Sequence, residues 1–314
     1  NNITISGGTI NLVQRNKYSV ATLRRDYNVV GAVVNITGGT LNVGTSATAL
    51  NYDFAIGGSM PNLVLDNTSH YKVARTSGAV DVYGEVTINN GDTLDLNGKD
   101  GFSVVGNPST AGNVTNQGAI IGTIVGSRLK FAGKNGQQVY AGSGTCGSSI
   151  APVDGVTVNN ADGAVLNSTI VTNRVNLFQG PVTHANQFTL GNGGSSTVTI
   201  QVGNDVSVAA GAFDAVPGFQ VGSGGLTLTY GTALFPVIMN YEIPPGRTVN
   251  RVYINNPLGC SMSGGNLTVI DSIALSPGIL TTGPDTLILG PACALGRTNG
   301  YLIGNLKKQF DKRS

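Results

Sequence analysis

The sequence predicts an all-β chain whose strands stack as a parallel β-solenoid (β-helix) carrying an irregular lateral insertion. Three observations lead there. The stretch Val86-Thr87-Ile88-Asn89-Asn90 returns as Val156-Thr157-Val158-Asn159-Asn160 and as Val252-Tyr253-Ile254-Asn255-Asn256. Each copy alternates apolar and polar residues and runs on through a Gly into a second alternating run, the pattern of strand, turn and strand. The 314-residue chain holds 46 Gly and only 11% charged residues, against about 7% Gly and about 25% charge in an average soluble protein. Gly supplies the positive φ that many turns need, while hydroxyl and amide side chains keep strands soluble. Finally, no stretch sustains a 3.6-residue apolar period, so helix is expected to be nearly absent.

Rungs with one or two inward apolar positions cannot bury a face alone and must stack, with Asn, Thr and Val forming ladders along the stack. Tandem β-sandwich domains are the competing arrangement, because short strands with regular turns also describe them. Sparse hairpin signals and uneven Gly spacing favour the solenoid.

Residues 1–80 read as N-terminal β rungs with an irregular loop. Asn2-Ile3-Thr4-Ile5-Ser6-Gly7-Gly8-Thr9-Ile10 returns as Asn35-Ile36-Thr37-Gly38-Gly39-Thr40-Leu41, a strand, a Gly-Gly corner and a strand written twice. Between the copies lie Arg15, Lys17, Arg24, Arg25 and Asp26, read as solvated residues that discourage edge pairing; an anionic ligand is the alternative. His70, Tyr71, Lys72 and Arg75 form a polar cluster read as surface, with sugar binding as the alternative. Residues 81–202 read as solenoid repeats.

Residues 203–250 gather Phe213, Phe219, Tyr230, Phe235 and Tyr241 in a chain without Trp, and are expected to pack as an aromatic and Pro-containing insertion against the stack. Phe235 and Tyr241 are the candidate glycan contacts, since sugar rings stack on aromatic faces. Glu242-Ile243-Pro244-Pro245-Gly246 reads as an extended lead into the next rung. Residues 251–314 read as a C-terminal β repeat and a basic tail with Lys307, Lys308, Lys312 and Arg313. Both ends look open, and a solenoid needs a cap at each end, so neighbouring domains or subunits are expected to cover at least one.

The composition also bounds function. A net charge of +2 argues against a nucleic-acid partner. The longest apolar runs fall far short of the roughly 20 residues of a membrane-spanning helix, so no membrane insertion is expected. Cys146, Cys260 and Cys293 fit no metal spacing. Cys260 and Cys293 read as small buried apolar residues or as a disulfide between neighbouring rungs.

Catalysis finds little support. The chain has only two Glu, and no Asp-Asp pair, no nucleophile elbow, no phosphate loop and no zinc-binding helix motif appear in it. Asp92 and Asp95, three apart in a strand, face opposite ways and read as solvated turn residues. No catalytic residue, metal or cofactor is therefore assigned, and the chain is expected not to be an enzyme.

The Asn-Asn rungs, L-x-x-G-I-L-T-T-G-x-D-T-L-I-L-G at 275–290 and G-Y-L-I-G-N-L-K-K-Q-F at 300–310 together resemble repeat regions of large secreted surface proteins of Bacteroidetes, adhesin-like and often exported by the type IX secretion system. The likeness is strongest over the last 65 or so residues. It implies an extracellular, multi-repeat, mostly β structural or adhesive module, with other domains of the same long chain or identical subunits as partners, and transfers no catalytic residue. A carbohydrate-binding or polysaccharide-cleaving β-helix protein, with surface glycans as ligands, is the alternative.

Overall fold

The computed structural model describes residues 2–13, 25–31, 33–44, 53–66, 72–98 and 101–310. Among these the chain is all-β, with parallel stacked coils of short strands and a single 3-10 turn at Ala185–Gln187. No helix among the described residues is long and apolar enough to cross a membrane. The fold is a parallel β-solenoid, as the alternating short runs imply, and it divides into two compact units, Asn1–Thr172 and Asn173–Ser314.

In the first unit each coil contributes up to three strands, and each strand pairs in parallel with its counterpart one coil on. One row runs through Asn2–Leu12, Val33–Val43, Asn62–Leu65, Val86–Ile88, Val114–Asn116, Gln138–Ala141 and Ala164–Leu166. A second runs from the first arm of Lys72–Val82 through Asp92–Asp95, Ala119–Ile121 and Thr145–Cys146. A third runs from its second arm through Phe102–Val104, Arg128–Phe131 and Gly155–Asn159. Because parallel pairing is in register, inward residues line up in columns. Leu63, Val86, Val114, Tyr140 and Leu166 form one and Leu94, Ile120, Cys146 and Ile170 another, all buried. Each such aliphatic side chain removed from water contributes about 1.5–3 kcal/mol, which is how three-residue strands hold together.

The second unit repeats the scheme, and its coils shorten toward the C-terminal end, from Pro181 on Ala212, 31 positions on, to Cys260 on Leu280, 20 positions on. Its longest row joins Arg174–Gln179, Val198–Val202, Leu226–Tyr230, Thr248–Ile254, Leu267–Leu275 and Ala294–Arg297. Val175, Ile200, Leu228, Val252 and Ile273 make its buried column.

Residues 203–250 differ from expectation. They run within the stack: Ala212–Phe213 pairs with Pro181–Thr183, Gly218–Phe219 with Phe188–Leu190, and Leu226–Tyr230 with strands on both sides. Of their aromatic residues Phe213 and Tyr230 serve as inward rungs, and Phe188 meets Phe213 edge-on at a centroid distance of 5.9 Å.

The Asn-Asn stretches are also not one repeat in phase. Val86–Ile88 belongs to the first row of its unit, whereas Gly155–Asn159 belongs to the third. What the last two copies share is a local solution to a corner. Asn160 is fully buried, its amide donating to Gly136 O (3.0 Å) and Gln138 Oε1 (3.2 Å) while its Oδ1 accepts from Asp162 N–H (2.9 Å). Asn256 does the same with Phe235 O, Gly259 O and Leu258 N–H. Each thereby satisfies backbone groups that a corner would otherwise bury unpaired. Asn90 is exposed. Side-chain ladders climb the stack as well: Asn62 Oδ1 accepts from Glu85 N–H, Glu85 Oε2 from Asn113 N–H, and Asn113 Oδ1 from Val139 N–H, each at 2.8 Å.

Asp92 is a second correction. It is 1% exposed rather than solvated, and Gly118 of the next coil lies against its backbone carbonyl so closely that a side chain at Gly118 would collide with it.

Candidate functional site

The best-defined concavity lies in the second unit and follows from an interruption in the stack. One row there pairs Pro181–Thr183 with Ala212–Phe213. At the corresponding place in later coils the row resumes with Val237–Ile238, which pairs with Cys260–Ser261 and through it with Ile279–Leu289. No pairing joins Ala212–Phe213 to Val237–Ile238. Between them opens a cleft of about 330 Å³ lined by Ala209–Phe213 and Val202 on one side, Phe235–Ile238 on the other, and Asn240 and Glu242.

Glu242 is the only ionisable residue in that lining. It is 5% exposed, and its Oε1 accepts from the Tyr230 hydroxyl at 2.7 Å and from Asn240 N–H at 3.0 Å. Burial pushes its carboxyl above the usual carboxylate range, against the pull of Tyr230, Asn240 and the nearby Arg247 guanidinium toward the charged form. Burial, then the Glu242 charge, pushes the Tyr230 phenol well above its normal value. Sequence reading took Glu242 as part of an extended lead and missed it. The available signal was rarity: one of only two Glu in the chain stands between a Tyr and a Pro pair. A lone carboxyl in an apolar cleft accepts a hydrogen bond or binds a cation. Glycoside hydrolysis by an acid and a second carboxylate would need a partner that the lining does not contain.

The two candidate glycan contacts separate here. Phe235 forms part of the cleft wall and is 59% exposed, while Tyr241 is 38% exposed and lies outside the lining. The two do not make one platform in that wall.

Cys146, Cys260 and Cys293 are all free and buried. Of the two readings of Cys260 and Cys293 the structure has small buried residues and not the bridge, because coils here are shorter than 33 residues. Cys260 stacks on Leu280, 20 positions on, and Cys293 precedes the strand whose Ala294 pairs with Ser272. Burial pushes the Cys146 thiol up to about 12, and Cys260 rises further for the same reason. In the first unit Cys146 keeps company with Tyr140, whose hydroxyl accepts from the Asn116 amide at 3.0 Å.

Of the basic stretch, Arg15, Lys17 and Arg24 lie outside the described residues, as do His70, Tyr71, Lys312, Arg313 and the side chain of Lys72. Arg25 donates to Ser77 O at 2.8 Å, Arg75 pairs with Asp95 at 3.0 Å, and Lys308 donates to Gly290 O and Cys293 O. Arg75 and Lys308 tie neighbouring coils together, and Arg25 reaches across one coil to the next but one. Among the described residues no group of three or more His, Cys, Asp or Glu is placed to hold a metal ion. No protein-family model, curated protein or solved structure matches the chain.

Proposed function

We propose that the chain is a non-catalytic structural and adhesive module of an extracellular cell-surface or filament protein, acting through end-to-end or lateral contacts with identical subunits or with further domains of the same long chain. The observation that carries this reading is the strand Tyr301–Lys308. Among the described residues it pairs only with Ile279–Leu289, and it exposes Tyr301, Ile303 and Leu306, with Phe310 just beyond. A long exposed strand edge bearing apolar side chains is a template for another strand. Among the described residues Asn2–Leu12 of the first unit likewise pairs only with Val33–Val43. Both outermost strands consist of two arms about a Gly corner, Gly8 in one and Gly304 in the other, so each offers the same kind of edge.

The test is sedimentation velocity and negative-stain microscopy of the whole chain over a range of concentrations. Concentration-dependent end-to-end association, abolished by Ile303→Lys with Leu306→Lys, is the expected result; a wild-type chain that stays monomeric throughout overturns the self-association. Surface labelling of intact cells checks the location, and complete protection from added protease would overturn it.

A further inference from the structure

The interruption between Ala212–Phe213 and Val237–Ile238 leaves more than a hollow. Val237 N–H donates to Gly259 O (3.1 Å) and Met239 N–H to Ser261 O (2.9 Å), both toward the next strand of the row. Asp214 N–H donates to Val182 O at 3.1 Å, toward the previous one. In a parallel ladder alternate residues bond to alternate sides. Ile238 and Phe213 therefore turn their backbone N–H and C=O groups into the gap, one pair from each wall. At one end the walls are fastened where Leu234 N–H donates to Val208 O at 2.8 Å.

Each flanking strand is two residues long, and the cleft between them holds about 330 Å³. Its walls are Val, Ala, Gly, Phe, Pro and Ile, with polar side chains only at Asn240 and Glu242. That chemistry suits a peptide, which brings backbone groups for the edges and apolar side chains for the walls, better than a sugar, whose many hydroxyls would meet few polar partners.

We propose that this gap accepts an extended peptide segment of a partner protein as an inserted strand, hydrogen-bonded to the Phe213 and Ile238 backbones, with a Lys side chain reaching Glu242. The carboxyl supplies charge complementarity: it is buried in an otherwise apolar cleft and bears no ion pair among the described residues. The exposed Phe235 and Ile238 cover the apolar side of the incoming strand.

The probe is a terminally blocked octapeptide alternating Thr and Val with one central Lys, titrated against the whole chain and followed by amide hydrogen exchange. Binding should slow exchange at 211–214 and 237–239. N-methylating the two central amides, which keeps every side chain but removes strand pairing, should weaken binding by about tenfold or more. Ala212→Trp, at an exposed position on the cleft mouth, should block the probe without unfolding the chain. Glu242→Gln should weaken the Lys peptide and leave its norleucine analogue unchanged. Equal binding of the N-methylated peptide, protection elsewhere, or no binding at millimolar peptide would each overturn the proposal. Binding on a glycan array without peptide binding would assign the cleft to sugars and overturn it as well.

Discussion

The Tyr230 hydroxyl and Glu242 Oε1 meet at 2.7 Å with both side chains buried. Tyr230 stacks in register between Val202 and Ile254, so its ring belongs to a core column while its hydroxyl reaches out of it to the cleft carboxyl. Removing the hydroxyl by Tyr230→Phe leaves the ring in place and deprives the carboxyl of a donor. Stability should fall by about 1–3 kcal/mol, read from urea unfolding, and Glu242→Gln combined with it should cost less than the sum of the two changes.

The same carboxyl sets a pH dependence. Its value in the folded chain is raised above 4.5, so the folded state binds its proton more tightly than the unfolded one. The resulting stabilisation is complete below pH 4.5 and is lost as pH rises through the folded value. Thermal melts should therefore show a decline in Tm over that rise which Glu242→Gln flattens. An unchanged profile in the variant would refute the assignment to this group.

Corner amides should matter by burial rather than by motif. Asn160→Ala removes three hydrogen bonds at a fully buried corner and should cost about 2–4 kcal/mol. Asn90→Ala, in the exposed copy of the same motif, should stay within about 0.5 kcal/mol of wild type. Chemical denaturation of the two variants makes the comparison directly.

Glycine positions divide in the same way. A side chain at Gly142, which has φ 125°, would be driven into the Asn116 backbone of the previous coil, whereas Gly246 has nothing within 4 Å. Gly142→Ala should destabilise by about 3 kcal/mol or more and Gly246→Ala hardly at all, measured by differential scanning calorimetry.

The thiols give a chemical check. With Cys146, Cys260 and Cys293 buried and free and their ionisation suppressed by burial, an aromatic disulfide reagent at pH 8 should react slowly with the native chain. All three should react at once in denaturant. Two missing equivalents in denaturant without reductant would reveal a bridge.

The architecture was legible in the sequence because alternation and Gly corners are local signals, written in runs such as Val86–Ile88 and Leu287–Ile288–Leu289. The phase of the stack was not. Val156 stacks on Leu129 and Val252 on Leu228, pairings that join unlike stretches, so similarity between the Asn-Asn copies pointed away from the true neighbours. The cleft was less legible still. Phe235 was found because aromatic residues are conspicuous. Glu242 and the unpaired edges of Phe213 and Ile238 exist only once strands that are 24 residues apart fail to pair, and no local pattern records a missing hydrogen bond.

Coil length varies while the columns stay aligned. Leu63 stacks on Val86, 23 positions on, Val86 on Val114, 28 positions on, and Cys260 on Leu280, 20 positions on. These differences are absorbed between strands, while the long two-armed strands also take up register shifts within themselves, as between Thr281 and Thr286. A lineage carrying this fold is thus free to lengthen and shorten its turns, and to drift in sequence at their tips, as long as the few inward positions keep their size. Such a chain diverges quickly in alignment while its geometry stands still.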